Sequence, residues 1–222
     1  MRTLIRTIEA SRSLRVPDAD RLRRLDHIDA IVIVGATAAG KSTIAGAIRD
    51  SAPARDGRVA VPPRYLTRPP RGSDNAIENL HVSVEEFEAH VQRGTIGLRW
   101  IRPMEGDRRE HYGFRTPSPA VLPVYSGNNA LYTNATSVLP AGILCHALFV
   151  GVYAPDRVRK ERLRKRSPDL SPAEVAYRLS DRSETMLPHV HVVVENHASF
   201  EVVSAAEAVD LVTAAAAGSA RV

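Results

Sequence analysis

The run Ile31-Val-Ile-Val34, followed by Gly35-Ala36-Thr37-Ala38-Ala39-Gly40-Lys41-Ser42-Thr43, constrains this 222-residue chain more than any other stretch. Four β-branched residues in a row leave no polar face, so the strand they form must be buried on both sides, as in a parallel sheet. The G-x-x-x-x-G-K-S pattern then wraps the backbone so that its N–H groups converge on one concavity. A helix starting near Lys41 adds its positive end. Residues Gly35 to Thr43 therefore read as a cradle for the phosphates of a nucleoside triphosphate. Lys41 is expected to reach the β- and γ-phosphates, and the Ser42 hydroxyl to be a ligand of Mg²⁺. ATP and Mg²⁺ are the expected cofactors. The motif is silent on where the γ-phosphate goes.

Beyond this loop the chain alternates strand and helix signals. Strands are expected at Val59–Val61, Val121–Tyr125, Leu144–Tyr153 and Val190–Val194, the third being a continuous apolar run. Ser83-Val-Glu-Glu86 and Ser171-Pro-Ala-Glu174 have the capping-box pattern. They open helices expected over Val84–Gln92 and from Pro172 to about Met186. Asp156–Arg166 reads as a basic helix and Ala205–Ala216 as a closing one. The alternation predicts an α/β fold of the P-loop NTPase kind: a parallel sheet with helices on both faces. Residues 28–222 form that domain, with a substrate lobe inserted at about 71–115 and a helical lid at about 156–178. Residues 1–27 read as an arginine-rich extension that decorates the fold, so a chain starting near Asp26 is expected to keep it.

Composition narrows the partners. A net charge of +5 arises from separated basic clusters without interleaved aromatic residues, which argues against nucleic acid. Cys145 is the single cysteine, so no intrachain disulfide or thiolate metal cage exists, and its apolar setting reads as core. No apolar stretch is long enough to span a membrane, and a reducing cytoplasm is the expected compartment. His189 and His191 read as plain strand residues, Trp100 as packing, and Glu105 and Asp107 as a solvated loop.

Several further segments stand in a telling order: Thr67-Arg68-Pro69-Pro70-Arg71, Val82-Ser83-Val-Glu-Glu-Phe87, Tyr112-Gly113, Arg162-Leu163-Arg164-Lys165-Arg166, Arg178-Leu179 and Glu195-Asn196. Together they resemble the guanylate kinase superfamily of P-loop phosphotransferases, over roughly Ile31 to Leu211. The resemblance implies that Arg68, Arg71 and Tyr112 grip a phosphate of the acceptor. It implies that Arg162, Arg166 and Arg178 close on the transferring phosphoryl group with Lys41, and that Asn196 borders the adenine. Arginine suits these tasks because its planar fork meets phosphate oxygens two at a time.

The departures point to the acceptor. Guanylate kinases carry a glutamate that reads guanine, whereas the matching position in Gly97-Leu98-Arg99-Trp100 is Arg99, which cannot accept a hydrogen bond. The chain is closer to the ribose 1,5-bisphosphate phosphokinase branch, in Arg64-Tyr-Leu-Thr-Arg-Pro69, Gly72-Ser73, Glu78-Asn79, Leu98-Arg-Trp100 and Val124-Tyr-Ser-Gly127. Arg99 would then meet a second phosphate. Tyr125-Ser-Gly-Asn128 offers no carboxylate where many P-loop enzymes hold magnesium. The expected partner is a small phosphorylated substrate, with a homodimer left open. Two alternatives stand beside this one: a kinase of the same fold acting on a nucleoside monophosphate or another small acceptor, and a binding module that has lost catalysis.

Overall fold

The computed structural model describes residues 1–70, 74–103, 109–127, 131, 146–180, 183–197 and 201–218. Its centre is strand β2 (Ala30–Gly35), every residue of which is buried. Parallel neighbours flank it: β8 (Leu122–Ser126), with Ile31 opposite Val124, and β9 (Ala147–Tyr153), with Ile33 opposite Val150. β3 (Val59–Ala60) extends the sheet beyond β8, and β10 (Val192–Glu195) extends it beyond β9, both in parallel. The expected parallel sheet with flanking helices is present.

Alternation along β2 explains the layers. Ile31 and Ile33 belong to a core shared with α1 (Arg2–Ala10), α3 (Lys41–Arg49) and α8 (Glu201–Gly218). Ala30, Val32 and Val34 face a different core, made with a second sheet. That sheet has the order β5-β4-β7-β6, from β4 (Arg64–Leu66), β5 (Asn79–His81), β6 (Ile96–Pro103) and β7 (Arg109–Arg115). Trp100, Tyr112 and Phe114 stack between the sheets. The inserted lobe thus begins at Arg64, earlier than the expected 71. Three residues of strand carry too little period to say which sheet they join.

The amino-terminal segment differs from its expectation. Leu14 and Arg15 form β1, which pairs antiparallel with β10 and supplies the edge of the main sheet. Leu4, Ile8, Leu14, Leu22 and Leu25 are buried in the same core as Ile31. Glu207 on α8 accepts the N–H groups of Arg12 at 2.9 Å and Ser13 at 2.8 Å, along with both the Ser11 and Ser13 hydroxyls. Burial opposes its charge, but these bonds outweigh it and hold the carboxyl below its ordinary value. The arm completes the fold rather than decorating it, because its spaced leucines and isoleucines find a partner in α8, far away in sequence.

Both capping boxes form, at Ser83 with Glu86 and at Ser171 with Glu174. They start α5 (Val84–Gln92) and α7 (Pro172–Leu179). The latter ends at Leu179 instead of running to Met186, and a 3₁₀ segment covers Ser183–His189.

Candidate active site

Strand β2 ends by delivering Gly35 to the loop. A Cβ at Gly35 would lie 2.5 Å from the Val152 carbonyl oxygen, so the close approach of β9 excludes any side chain there. Ala38 has φ 63°, a left-handed conformation that costs a non-glycine residue on the order of 1 kcal/mol. Gly40 has φ 104°, and a Cβ there would stand 1.9 Å from Asn196 Nδ2. Helix α3 starts at Lys41 with no side-chain cap, and the positive end of its dipole faces the loop.

Outside donors tie down the loop carbonyls. Lys41 Nζ donates to Gly35 O at 2.7 Å and to Ala36 O at 2.8 Å. Arg159 Nε donates to Thr37 O at 3.0 Å. Ala39 O accepts from Asn196 Nδ2 at 2.7 Å and from Arg162 Nη1 at 3.2 Å. A trans peptide points its C=O and the next N–H in opposite directions. Anchoring the Thr37 and Ala39 carbonyls therefore turns the Ala38 and Gly40 N–H groups the other way. The Ser42 and Thr43 side chains are exposed on the first turn of α3.

Asn196 differs from its expected contact with a base. It is 3% exposed, its Nδ2 holds Ala39, and its Oδ1 accepts from Ser204 at 3.2 Å and Arg162 at 3.3 Å. With both ends of its amide engaged it braces the loop from beneath. Arg162, on α6 (Asp156–Arg166), was expected at the transferring phosphoryl group; here it donates to the loop carbonyl of Ala39. Arg166 is exposed on the last turn of α6, and Arg178 sits on α7 one turn from Glu174. Neither hydrogen-bonds the loop among the described residues.

Sequence reasoning missed Arg159. It is 2% exposed and satisfied by Thr37 O, by Asp156 Oδ1 at 2.8 Å and by Leu179 O at 3.3 Å. Its place three residues before Arg162, on the same helical face, was the available signal. It docks the start of α6 on the loop.

On the lobe, Arg68 is 8% exposed and forms a bidentate pair with Asp74, both contacts at 2.7 Å. Burial works against the guanidinium's charge, but the hydrogen bond and charge of Asp74 outweigh it and raise its pKa. His81 joins the pair, with Nε2 3.1 Å from Asp74 Oδ2 and Nδ1 2.9 Å from Arg68 O. The expected phosphate grip of Arg68 is thus taken by a carboxylate of its own chain. Arg71 lies outside the described residues. Tyr112 donates its hydroxyl to Glu110 and stacks on Trp100 with ring centroids 5.3 Å apart. Arg64, also missed, donates Nη2 to Asn79 Oδ1 at 2.7 Å, while its buried Nε has no partner among the described residues. Burial depresses its pKa, and the charges of Tyr112 and Glu78 act against that. Arg99 is exposed beside Glu88 at 3.6 Å, with His111 on the same carboxylate at 3.4 Å.

No protein-family model matches the chain, and no curated protein matches its sequence. Among solved structures, a guanylate kinase from Anaplasma phagocytophilum shares 15% identity at a TM-score of 0.49, over 81% of this chain and 82% of that one. A gluconokinase from Sinorhizobium meliloti 1021 shares 17% identity at a TM-score of 0.41, over 85% of this chain and 95% of that one. At this level the likeness carries no residue role and no substrate over to this chain.

Proposed function

We propose that the protein is an ATP- and Mg²⁺-dependent phosphotransferase acting on a small phosphorylated acceptor, with ribose 1,5-bisphosphate as the acceptor that fits its residues best. The observation that carries this reading is the loop itself. Its carbonyls are held outward, its helix start is uncapped, and Lys41 lies across its first two residues. Such an arrangement favours an anion before any arrives, which is what phosphoryl transfer asks of a protein.

The residues present fit the triphosphate and fit magnesium more sparsely. Ser42 gives one hydroxyl, while Ser126 and Gly127, at the end of β8, add no carboxylate. Phosphate oxygens and water would complete the shell, as Mg²⁺ accepts. When bound, the metal and nucleotide supply the transferable phosphoryl group and neutralise its charge. Lys41 leaves the Gly35 and Ala36 carbonyls for the phosphates, and Arg162 steadies the loop. Arg166 and Arg178 close over the reacting group and exclude water. Arg68, Arg71 and Tyr112 hold the acceptor, with Asp74 giving way to its phosphate. Arg99 discriminates against guanine, since it offers no acceptor to the base's donors.

Coupled ADP release with ATP and Mg²⁺ tests this. Ribose 1,5-bisphosphate is expected to give a higher kcat/KM than guanosine monophosphate. The reverse ranking overturns the acceptor, and no acceptor-dependent ADP release with any phosphorylated ribose or nucleoside monophosphate overturns the activity.

A further inference from the structure

At the opposite end of the central strand from the phosphate loop, two imidazoles and a carboxylate converge. His27 Nδ1 lies 2.9 Å and His146 Nδ1 3.1 Å from the same oxygen, Asp26 Oδ1. The two rings stack with centroids 3.7 Å apart. One ligating atom from each of the three residues falls within 4.8 Å of the others. Ligands at 2.0–2.1 Å around a tetrahedral ion stand about 3.3 Å from one another, so the short edges of this triangle already match a coordination shell.

We infer that Asp26, His27 and His146 form a binding site for a zinc-class divalent cation, independent of the phosphate loop. The donor set selects the class. Two neutral imidazoles and one carboxylate suit Zn²⁺ and its imidazole-seeking neighbours, whereas Mg²⁺ wants an all-oxygen shell. An outer carboxylate supports the ligands, because Asp29 Oδ2 is 3.4 Å from His27 Nε2. A carboxylate behind a ligating imidazole fixes its ring and tautomer and raises its basicity. The scaffold is firm as well. The Asp29 N–H donates to His146 O at 3.1 Å, and the next residues, Ala30 and Ala147, pair as the first rungs of β2 and β9. Site-bearing residues at paired strand starts are held better than residues on a free loop. Water completes the shell from the open side, where the Asp26, His27 and His146 side chains are 74%, 49% and 31% exposed. The six residues of β2 put roughly 20 Å between this site and the phosphate loop. A bound ion would clip the joint between the amino-terminal arm and the sheet to the start of β9.

The test is titration of the full chain with Zn²⁺, followed by calorimetry and by thermal unfolding, in a buffer that does not chelate. One equivalent is expected to bind and to raise Tm. Asp26→Asn and His146→Gln are each expected to weaken binding at least tenfold, and the double variant H27A/H146A to abolish the Tm rise. Equal binding by the double variant and the wild type overturns the site, as does a wild-type chain that binds no Zn²⁺. If a variant does not fold, the Co²⁺-loaded wild type decides. Tetrahedral visible bands with two imidazole ligands by X-ray absorption support the inference, and an octahedral all-oxygen spectrum overturns it.

Discussion

The two sheets handle polar burial in opposite ways. Around β2 the interior is apolar, and the candidate phosphate loop is shaped by its backbone, whose direction is set by glycines and by donors beneath it. Across the shared core, β4, β5, β7 and the segments that flank them hold polar and charged side chains out of solvent in whole or in part: Arg68 with Asp74, Arg64 near Glu78, and the Tyr112 hydroxyl on Glu110. The loop's backbone direction is already set by these bonds, so in that half only the Lys41 side chain would have to exchange partners for an anion. Side-chain cations that already hold carboxylates must exchange one for another. One half of the candidate site is therefore preorganised, and the other is poised for substitution.

Five measurements would break or sharpen this contrast. The largest effect concerns the apolar sheet. A chain beginning at Asp26 loses the burial of Leu4, Ile8, Leu14, Leu22 and Leu25. Each such side chain contributes about 1.5–3 kcal/mol, against a domain stability of about 5–15 kcal/mol. Urea unfolding followed by circular dichroism should show no cooperative transition. A transition like that of the full chain would mean that the arm is dispensable to this core.

Next is the lobe. Asp74→Asn leaves the Arg68 guanidinium buried without its carboxylate, an imbalance that costs about 3–5 kcal/mol. Thermal unfolding should fall accordingly, and millimolar inorganic phosphate should recover part of the loss. An unchanged Tm would show that the pair is not structural. Recovery with phosphate absent from the wild type but present in the variant would mark Asp74 as the occupant of an anion position.

His191 is buried beside the start of β9, with Nδ1 accepting the Phe149 N–H at 2.9 Å. Burial, assisted by the charge of Arg21, pushes its pKa down to about 4 from 6.5. The unfolded chain binds this proton first, so native stability falls as pH drops from 6.5 towards 4 and is flat above that window. The loss reaches about 3 kcal/mol. His191→Asn keeps an acceptor near Phe149 and should flatten that part of the curve in chemical denaturation at stepped pH.

Lys41→Ala should cut turnover on the order of 10²-fold or more, about 2.7 kcal/mol of barrier, with Tm almost unmoved. A stability loss without a rate loss would assign the lysine to the loop's own architecture. The smallest effect is expected of Arg99→Ala. Its pair with Glu88 is exposed, so stability should change by less than about 1 kcal/mol, while steady-state kinetics should show a higher KM for a bisphosphate acceptor.

The residues that could be read in advance are those whose neighbours in space are neighbours in sequence. The loop from Gly35 to Thr43, the capping boxes at Ser83 and Ser171, and the apolar run of β9 carry their reasons locally. The lobe's strands were harder, since Arg64–Leu66 and Asn79–His81 are three residues each and are defined by pairing. Asn196 was expected beside the nucleotide and Arg159 was passed over, because their work as braces depends on carbonyls that only the folded loop presents. Asp74 left no trace in the pattern, because a carboxylate six residues from an arginine reads as solvated turn until burial is known.

The hold of Glu207 on Ser11, Arg12 and Ser13 joins positions nearly two hundred residues apart. During synthesis the apolar face of α1 emerges well before α8, which covers it. Until then Leu4 and Ile8 have no native partner, and the edge strand β1 has no β10 to pair with. The nascent chain must therefore keep this apolar segment out of trouble until α8 appears, and the contact that covers it has high sequence separation.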